Sequence, residues 1–196
     1  MPVALRALGV LAAALLIACG RPAPSLPVLG DVPAFRLTER SGESFGSDQL
    51  HGRPWIAGFI FTSCPDVCPA VTAQMARLDQ LLPPAERPPR VSFSVDPVRD
   101  TPAVLRAYAT RHGAGADWYF LTGDRDEVAR LLRDGFRVAF ADDGPPEQPI
   151  THSDRLVLVD GSARIRGYYH GRLPDDLDRL VRDLRTVRAE SPSTRG

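Results

Sequence analysis

Hydrophobic and polar positions along the middle of the chain predict strands and helices in turn. Residues 54–61 form a continuous apolar run, which is typical of a central strand buried on both faces. Apolar residues spaced three and four apart over Asp66 to Leu82 predict a helix, and Pro83 ends it. Strict alternation over Val91 to Val95 then predicts a second strand. The folded part of the chain therefore opens with a strand, a helix and another strand.

The second half continues this alternation. Thr101-Pro102 begins a helix that runs to about His112, because proline suits the first helical position. A short strand over Trp118 to Leu121 follows. Asp124 has the character of an N-cap for a further helix, which ends at Gly135. The chain then predicts a hairpin and a final amphipathic helix: strands Arg155–Val159 and Arg164–Tyr169, and helix positions Leu177, Leu180, Val181, Leu184 and Val187.

This order of elements predicts an α/β fold in which a central mixed sheet is flanked by helices. A strand, a turn that carries cysteines, a helix and a late hairpin together resemble the thioredoxin-like fold. That resemblance rests on element order and does not by itself indicate a function, because many functions share the fold.

The N-terminus resembles an export signal. Arg6 precedes an apolar run from Ala7 to Ala18, which is too short to cross a bilayer comfortably but suits a signal-peptide core. The run ends in Leu16-Ile17-Ala18-Cys19, which is similar to a bacterial lipobox, so we expect Cys19 to carry lipid. The alternative is a plain signal peptide or an uncleaved anchor. Both place the domain outside the cytoplasm, where disulfides persist.

The predicted organisation has four parts. A lipoprotein-type signal peptide covers 1–18, a Pro-rich tether 19–33, the thioredoxin-like domain 34–188 and a polar tail 189–196. A domain of this length buries enough apolar surface to fold without a disulfide framework, and the three cysteines of the chain exclude such a framework. The net charge of zero gives no reason to expect nucleic acid as a partner.

The strongest local signal is Thr62-Ser63-Cys64-Pro65-Asp66-Val67-Cys68-Pro69. Cys64 falls where the first strand ends, and Cys68 falls on the first turn of the following helix. Residues four apart share one helix face, so the two sulfurs can approach each other. A helix N-terminus favours anions and is expected to lower the pKa of a thiol. Thiolate is both the nucleophile of disulfide exchange and a soft ligand that suits Cu(I).

A cysteine pair can also serve as a structural disulfide, as part of a zinc site or as the redox pair of a thioredoxin-type enzyme. A structural disulfide would close a very short loop here and so contribute little stability. Structural zinc wants four protein ligands, and the chain has no second cysteine pair. A thioredoxin-type oxidoreductase has two residues between its cysteines. Here there are three, which alters the sulfur geometry and leaves room for a metal.

Four blocks of the sequence, in this order, resemble the Sco/SenC family of copper chaperones for cytochrome c oxidase assembly. The first is the cysteine block above, and the others are Asp96-Pro97-Val98-Arg99-Asp100-Thr101-Pro102, Leu121-Thr122-Gly123 and Thr151-His152-Ser153. The resemblance spans roughly Leu29 to Val187. It departs from the family at Thr151, where many relatives are expected to carry an acidic residue; this affects the surroundings of the histidine rather than a ligand.

The resemblance implies a site for one copper ion, as Cu(I) or Cu(II), with Cys64, Cys68 and His152 as ligands. It also implies delivery of that copper to cytochrome c oxidase subunit II, or to another extracytoplasmic copper protein, by a lipoprotein anchored at the cell membrane. Such a carrier needs no catalytic turnover. The alternative is a thiol–disulfide reductase that prepares the subunit's cysteines for the metal, in which Cys64 attacks and Cys68 resolves. A peroxidase function is the third alternative and is disfavoured, because no Arg adjoins Cys64.

The remaining polar candidates are expected to have simpler roles. A lone histidine is usually solvated, and we expect His51 and His112 to lie at the surface, while His170 has no assigned role. Asp66 and Asp100 are expected to cap helices. Asp96 ends a strand, so a turn role is favoured over partner docking.

Overall fold

The computed structural model of the protein describes residues 25–64, 67–141 and 151–190. The strands are β1 (Gly30–Asp31), β2 (Arg36–Glu39), β3 (Ser44–Gly46), β4 (Trp55–Ile60), β5 (Arg90–Ser94), β6 (Trp118–Thr122), β7 (Phe140–Ala141), β8 (Thr151–His152), β9 (Arg155–Val159) and β10 (Arg164–His170). The α-helices are α1 (Val67–Leu81), α2 (Pro102–Arg111), α3 (Arg125–Arg130) and α4 (Pro174–Glu190).

One mixed sheet of eight strands carries the fold, in the order β1-β10-β9-β4-β5-β6-β2-β3. Strands β4, β5 and β6 are parallel to one another, and the other neighbours in the sheet pair antiparallel. Strands β7 and β8 form a separate two-stranded ribbon. This mixed sheet with its helices confirms the predicted α/β class and the thioredoxin-like fold.

The core fills both faces of the central strands, because successive side chains of a strand point to opposite sides. Every residue of β4 and β5 is buried. On one face Phe59 and Phe93 meet Phe136, which follows α3, with ring centroids 5.1 Å apart in each pairing with Phe136. On the other face Gly58 leaves room for Met75 of α1. The continuous apolar run at 54–61 is thus explained by burial on both faces.

The predicted helices are present with small differences at their ends. In α2, Thr101 is the N-cap and accepts a hydrogen bond from the Val104 N–H. In α3, Asp124 is the N-cap as predicted, but α-helical geometry ends at Arg130 and a π-helical turn continues to Gly135. Helix α1 is linked to α2 through the hydroxyls of Thr72 and Tyr108, which lie 2.8 Å apart.

The N-terminal part of the described chain packs against the domain. Gly30 and Asp31 pair with β10, and the guanidinium of Arg166 donates to the carbonyl oxygens of Leu26 and Pro27. Arg166 is buried and forms ion pairs with Asp160 and Glu190. The stretch predicted as a tether over 19–33 therefore contacts the domain from Leu26 onward.

Several predicted features lie outside the described residues: the signal peptide, Cys19, the tail from 191 and the pair Pro65-Asp66. Within the described ranges, every helix is too short or too polar to cross a membrane.

Candidate metal and thiol site

The cysteine pair lies at the carboxyl end of β4, next to the end of the parallel strand β5. Strand β4 ends at Ile60, and α1 begins at Val67. The Cys64 N–H donates to the Phe61 carbonyl at 3.2 Å, which closes a turn directly after the strand. In open α/β sheets ligands bind outside the carboxyl ends of parallel strands, so the turn is placed where a binding site is expected.

Both cysteines are thiols, and they are held together by backbone hydrogen bonds. The Cys68 N–H donates to the Cys64 sulfur at 3.4 Å, and the Phe61 N–H donates to the Cys68 sulfur at 3.5 Å. Cys64 is partly exposed, whereas Cys68 is fully buried. The pair therefore has one sulfur that reagents can reach and one that faces the core.

The expectation of a lowered thiol pKa is wrong for Cys68. Burial raises the pKa of the Cys68 thiol, and the hydrogen bond from the Phe61 N–H opposes that rise only in part. The adjacent Cys64 raises it further. Loss of water around the sulfur outweighs the favourable field of the helix N-terminus, because a buried thiolate loses most of its solvation. The raised pKa favours the protonated thiol of Cys68 at neutral pH.

A buried carboxylate lies directly behind the cysteine turn. The Asp100 side chain is inaccessible to solvent and accepts hydrogen bonds from the Thr62 N–H at 3.1 Å and the Thr62 hydroxyl at 2.5 Å. It also accepts one from the Ser94 hydroxyl at 2.7 Å. Burial raises the pKa of the Asp100 carboxyl, and these hydrogen bonds act in the opposite direction.

The expected role of Asp100 as a helix cap is therefore wrong, since Thr101 caps α2. The sequence did not identify Thr62 and Ser94 as partners of this carboxylate. One signal was available in the sequence: Ser94 is a polar residue at the end of a predicted strand, which the structure shows to be buried. Asp96 is also buried and pairs with the exposed Arg99, which agrees with a turn role.

His152 is placed by its backbone only, because its side chain lies outside the described residues. It pairs with Phe140 in the β7–β8 ribbon, three residues before β9 begins at Arg155. Strand β9 is antiparallel to β4, with Trp55 opposite Val159 and Ala57 opposite Val157. This register carries the start of β9 toward the carboxyl end of β4, the end of the sheet that holds Cys64.

His170 and His112 have local partners, and His51 is exposed. The His170 ring nitrogen Nδ1 lies 3.2 Å from a carboxylate oxygen of Asp154, and Arg172 contacts the same carboxylate. His112 ends α2 and packs against the Tyr108 ring, and burial lowers its pKa. Among the side chains that the structure describes, no group of three or more His, Cys, Asp or Glu residues is arranged to hold a metal ion.

The comparisons with known proteins agree on one family. The family model described as SCO1/SenC matches residues 30–188. A solved SCO1/SenC family lipoprotein from Bacillus anthracis str. Ames is 29% identical, with a TM-score of 0.75, and the match covers 81% of this chain and 95% of that one.

Two further solved structures are informative. BsSco, described as a member of the Sco family of cytochrome c oxidase assembly proteins with a disulfide switch, is 28% identical with a TM-score of 0.72, over 84% of this chain and 98% of that chain. Yeast Sco1 with copper bound is 26% identical with a TM-score of 0.61, over 83% of this chain and 90% of that chain.

Proposed function

This chain belongs to the SCO1/SenC family, and we propose on that basis that it is a membrane-tethered copper carrier outside the cytoplasm. It binds one copper ion through the sulfurs of Cys64 and Cys68 and the imidazole of His152. Yeast Sco1, which has the same fold, has been solved with copper bound. Copper is the cargo of this protein, received from a donor and passed on.

The observation that carries the proposal is the contact between the Cys68 N–H and the Cys64 sulfur, at 3.4 Å. With three residues between the cysteines, the Cys64 sulfur lies against the first turn of α1, which carries Cys68. Two thiolates suit Cu(I), and an imidazole nitrogen suits either oxidation state. The backbone register of β9 supports His152 as the third ligand because it brings that residue to the same end of the sheet.

Copper binding has to remove the proton of the buried Cys68. Because the ligand is a thiolate, each bound sulfur releases a proton, and the raised pKa of Cys68 makes copper affinity rise with pH. An acceptor that offers ligands to the copper reverses this step, since Cys68 can take its proton back. Release to a partner by ligand exchange is therefore favoured by the same burial.

The proposed acceptor is the copper centre of cytochrome c oxidase subunit II. BsSco is described as a cytochrome c oxidase assembly protein, which supports this class of partner. Lipid on Cys19 would hold the domain at the membrane, and the related Bacillus anthracis protein is described as a lipoprotein. Leu26 is held against the domain by Arg166, so the part of the proposed tether from Leu26 onward does not extend freely from the domain.

Metal analysis after anaerobic reconstitution tests the proposal. Reduced protein is loaded with Cu(I), desalted and analysed for copper, and we expect about one ion per chain, as the three-ligand set implies. The double variant Cys64→Ser plus Cys68→Ser should retain none. Copper near zero in the unmodified protein, or full retention in the double variant, would rule out the carrier.

A second function is supported by the difference in exposure between the sulfurs. A partly exposed Cys64 can attack a partner's disulfide, and the buried Cys68 can resolve the mixed disulfide. The protein would then reduce the cysteines of the oxidase subunit before the metal arrives. BsSco is described as containing a disulfide switch, which supports redox activity of such a pair.

A further inference from the structure

The turn that carries Cys64 is fixed from behind by one side chain. The carboxylate of Asp100, which precedes α2, accepts the backbone N–H and the hydroxyl of Thr62 and also the hydroxyl of Ser94. Thr62 lies two residues before Cys64, and Ser94 ends the neighbouring strand β5. The carboxylate therefore ties the exit of β4 to the end of β5 and to the start of α2.

The effect of Asp100 reaches Cys64 through a single rigid unit. The peptide bond between Phe61 and Thr62 is planar, so the Thr62 N–H and the Phe61 carbonyl turn together. Asp100 holds the N–H of this unit at 3.1 Å, and the carbonyl of the same unit accepts the Cys64 N–H at 3.2 Å. Rotation of this plane would break both hydrogen bonds and move Cys64.

The other sulfur is set by the preceding peptide unit. The Phe61 N–H donates to the Cys68 sulfur at 3.5 Å, and the Phe61 residue joins this unit to the one that Asp100 holds. Two consecutive backbone N–H groups thus bind a cysteine sulfur and the Asp100 carboxylate. The distance between the two sulfurs therefore depends on both of these hydrogen bonds.

Joining loops through a buried carboxylate costs free energy. The donors that the structure gives to Asp100 are neutral, and its side chain is inaccessible to solvent. Burying a charged group costs free energy unless hydrogen bonds compensate. A carboxylate offers two oxygens that can accept all three donors, whereas a hydroxyl or an amide offers a single oxygen.

We propose that Asp100 is a positioning residue, which holds the Cys64 turn in the conformation that brings both sulfurs to one copper ion. The proposal deepens the copper-carrier function and rests on it. It also predicts an effect on the thiols alone, because the same geometry governs how readily Cys64 and Cys68 form a disulfide.

Three variants separate the contributions. Asp100→Ala removes all three acceptor contacts. Asp100→Asn keeps one acceptor oxygen for the Thr62 N–H, and its amide can donate to the Ser94 hydroxyl. Thr62→Val removes only the hydroxyl donor and has nearly the same shape, so it tests the proposal if Asp100→Ala does not fold. Asp160→Ala is the matched control. Asp160 is also a buried aspartate, but it contacts Arg164 and Arg166 and not the cysteine turn.

Two measurements are made on each folded variant: Cu(I) affinity by competition with a chromophoric chelator, and the dithiol–disulfide equilibrium in glutathione buffers. We expect Asp100→Ala to weaken Cu(I) binding about 10- to 100-fold, and Asp100→Asn, which keeps part of the hydrogen-bond set, to weaken it by less. The disulfide equilibrium constant should shift about tenfold in Asp100→Ala, which corresponds to about 30 mV. Thr62→Val should shift both quantities in the same direction by less.

The proposal is overturned if Asp100→Ala leaves both quantities unchanged, or if Asp160→Ala shifts them by the same factor. Where Asp100→Ala does not fold, unchanged values in Thr62→Val overturn it. Failure of the copper function gives a different result, since the unmodified protein would then bind no copper. In that case the disulfide equilibrium alone tests whether Asp100 positions the Cys64 turn.

Discussion

Cys64 and Cys68 are four residues apart in the sequence, yet the Cys68 sulfur is fully buried while Cys64 is partly exposed. The Cys68 N–H donates to the Cys64 sulfur, so the two residues are held as a pair despite their different surroundings. The partly exposed Cys64 is the first sulfur that a metal, an alkylating reagent or a partner's disulfide can reach. Cys68 then acts as the second metal ligand or as the thiol that resolves the mixed disulfide.

Alkylation of the reduced protein should therefore be asymmetric. At neutral pH we expect iodoacetamide to modify Cys64 at least about tenfold faster than Cys68, because Cys68 is buried and its pKa is raised. Peptide mass spectrometry after timed quenching measures both rates. In urea the two rates should converge, which serves as the control. Equal rates in the native protein would show that Cys68 is as accessible as its neighbour.

Removal of the buried Arg166 should destabilise the fold. Arg166 pairs with Asp160 and Glu190 and holds the carbonyl oxygens of Leu26 and Pro27. Arg166→Met removes the cation that pairs with Glu190 and one of the two that pair with Asp160, which keeps Arg164, and breaking such a buried pair costs about 3–5 kcal/mol. Urea unfolding measures this loss. Amide exchange at Leu29, whose N–H donates to Ile165, should also become faster.

The matched control is Arg185→Met. Arg185 pairs with Glu86 at the surface, with 55% and 41% of the two side chains exposed. An exposed ion pair contributes about 1 kcal/mol or less. Equal losses in the two variants would contradict the role assigned to Arg166.

Acid should destabilise the protein partly through Asp160. Burial alone would raise the pKa of this carboxyl, but hydrogen bonds from Arg164, Ser162 and Arg166 outweigh it and hold the pKa below its ordinary value. The unfolded chain takes up this proton near pH 3.9, so the stabilisation is present above about pH 4 and is lost as pH falls through the folded pKa.

Asp160→Asn should therefore be less stable at pH 7 and show a flatter decline of unfolding free energy between about pH 5 and pH 3. Urea titrations at several pH values provide the measurement. Asp117→Asn is the control, since Asp117 is 61% exposed and its ion pair with Arg53 is 4.0 Å long. A decline in Asp160→Asn as steep as in the unmodified protein would contradict the assignment.

The sequence predicted the central part of the fold well because strong patterns mark it. The buried run at β4, the alternation at β5 and the apolar face of α4 each follow from a single periodicity. Strands β2 and β3, at one end of the sheet, were not predicted. They are short and partly exposed, and the pairing of β2 with β6 depends on contacts distant in sequence.

The candidate site was likewise predicted only in part from the sequence. The proximity of Cys64 and Cys68 was predicted from their spacing in the sequence, which is local, and the Cys68 N–H does contact the Cys64 sulfur. The burial of Cys68 and the contacts of Asp100 depend on how β5 and α2 pack behind the turn, so a one-dimensional pattern could not show them. The wrong expectation for the pKa of Cys68 has this cause: the helix N-terminus is visible in the sequence, but the loss of solvent is not.

Cys19 should carry lipid in the mature protein. Leu16-Ile17-Ala18-Cys19 follows an apolar run and motivates this expectation. Mass spectrometry of the mature N-terminus from detergent extracts decides it, with Cys19→Ser as the control that should remain unprocessed. A cleaved, water-soluble product with an unmodified Cys19 thiol would contradict the lipid anchor. Gly20 follows the cysteine, so the aspartate that signals retention at the inner membrane is absent from that position.

His152→Ala should separate the carrier from the reductase. Disulfide exchange uses only the two sulfurs, so a reductase should keep most of its activity without this imidazole. A copper site with three protein ligands behaves differently in its two oxidation states. Cu(I) is soft and accepts two thiolates, whereas Cu(II) prefers tetragonal shells with nitrogen or oxygen donors. We therefore expect a large loss of Cu(II) affinity, with loss of the thiolate-to-copper charge-transfer band, and a small loss of Cu(I) affinity.

Competition titrations in each oxidation state, run beside a disulfide-reduction assay, measure these effects. His170→Ala is the matched control, because His170 is engaged with Asp154 and should leave both affinities unchanged. Oxidation of Cys64 and Cys68 to a disulfide should abolish binding of copper in both oxidation states, since ligation requires deprotonated sulfur. If His152→Ala binds Cu(II) as tightly as the unmodified protein, His152 is not a ligand. The metal site then has only two protein donors, and the reductase becomes the better account of the cysteine pair.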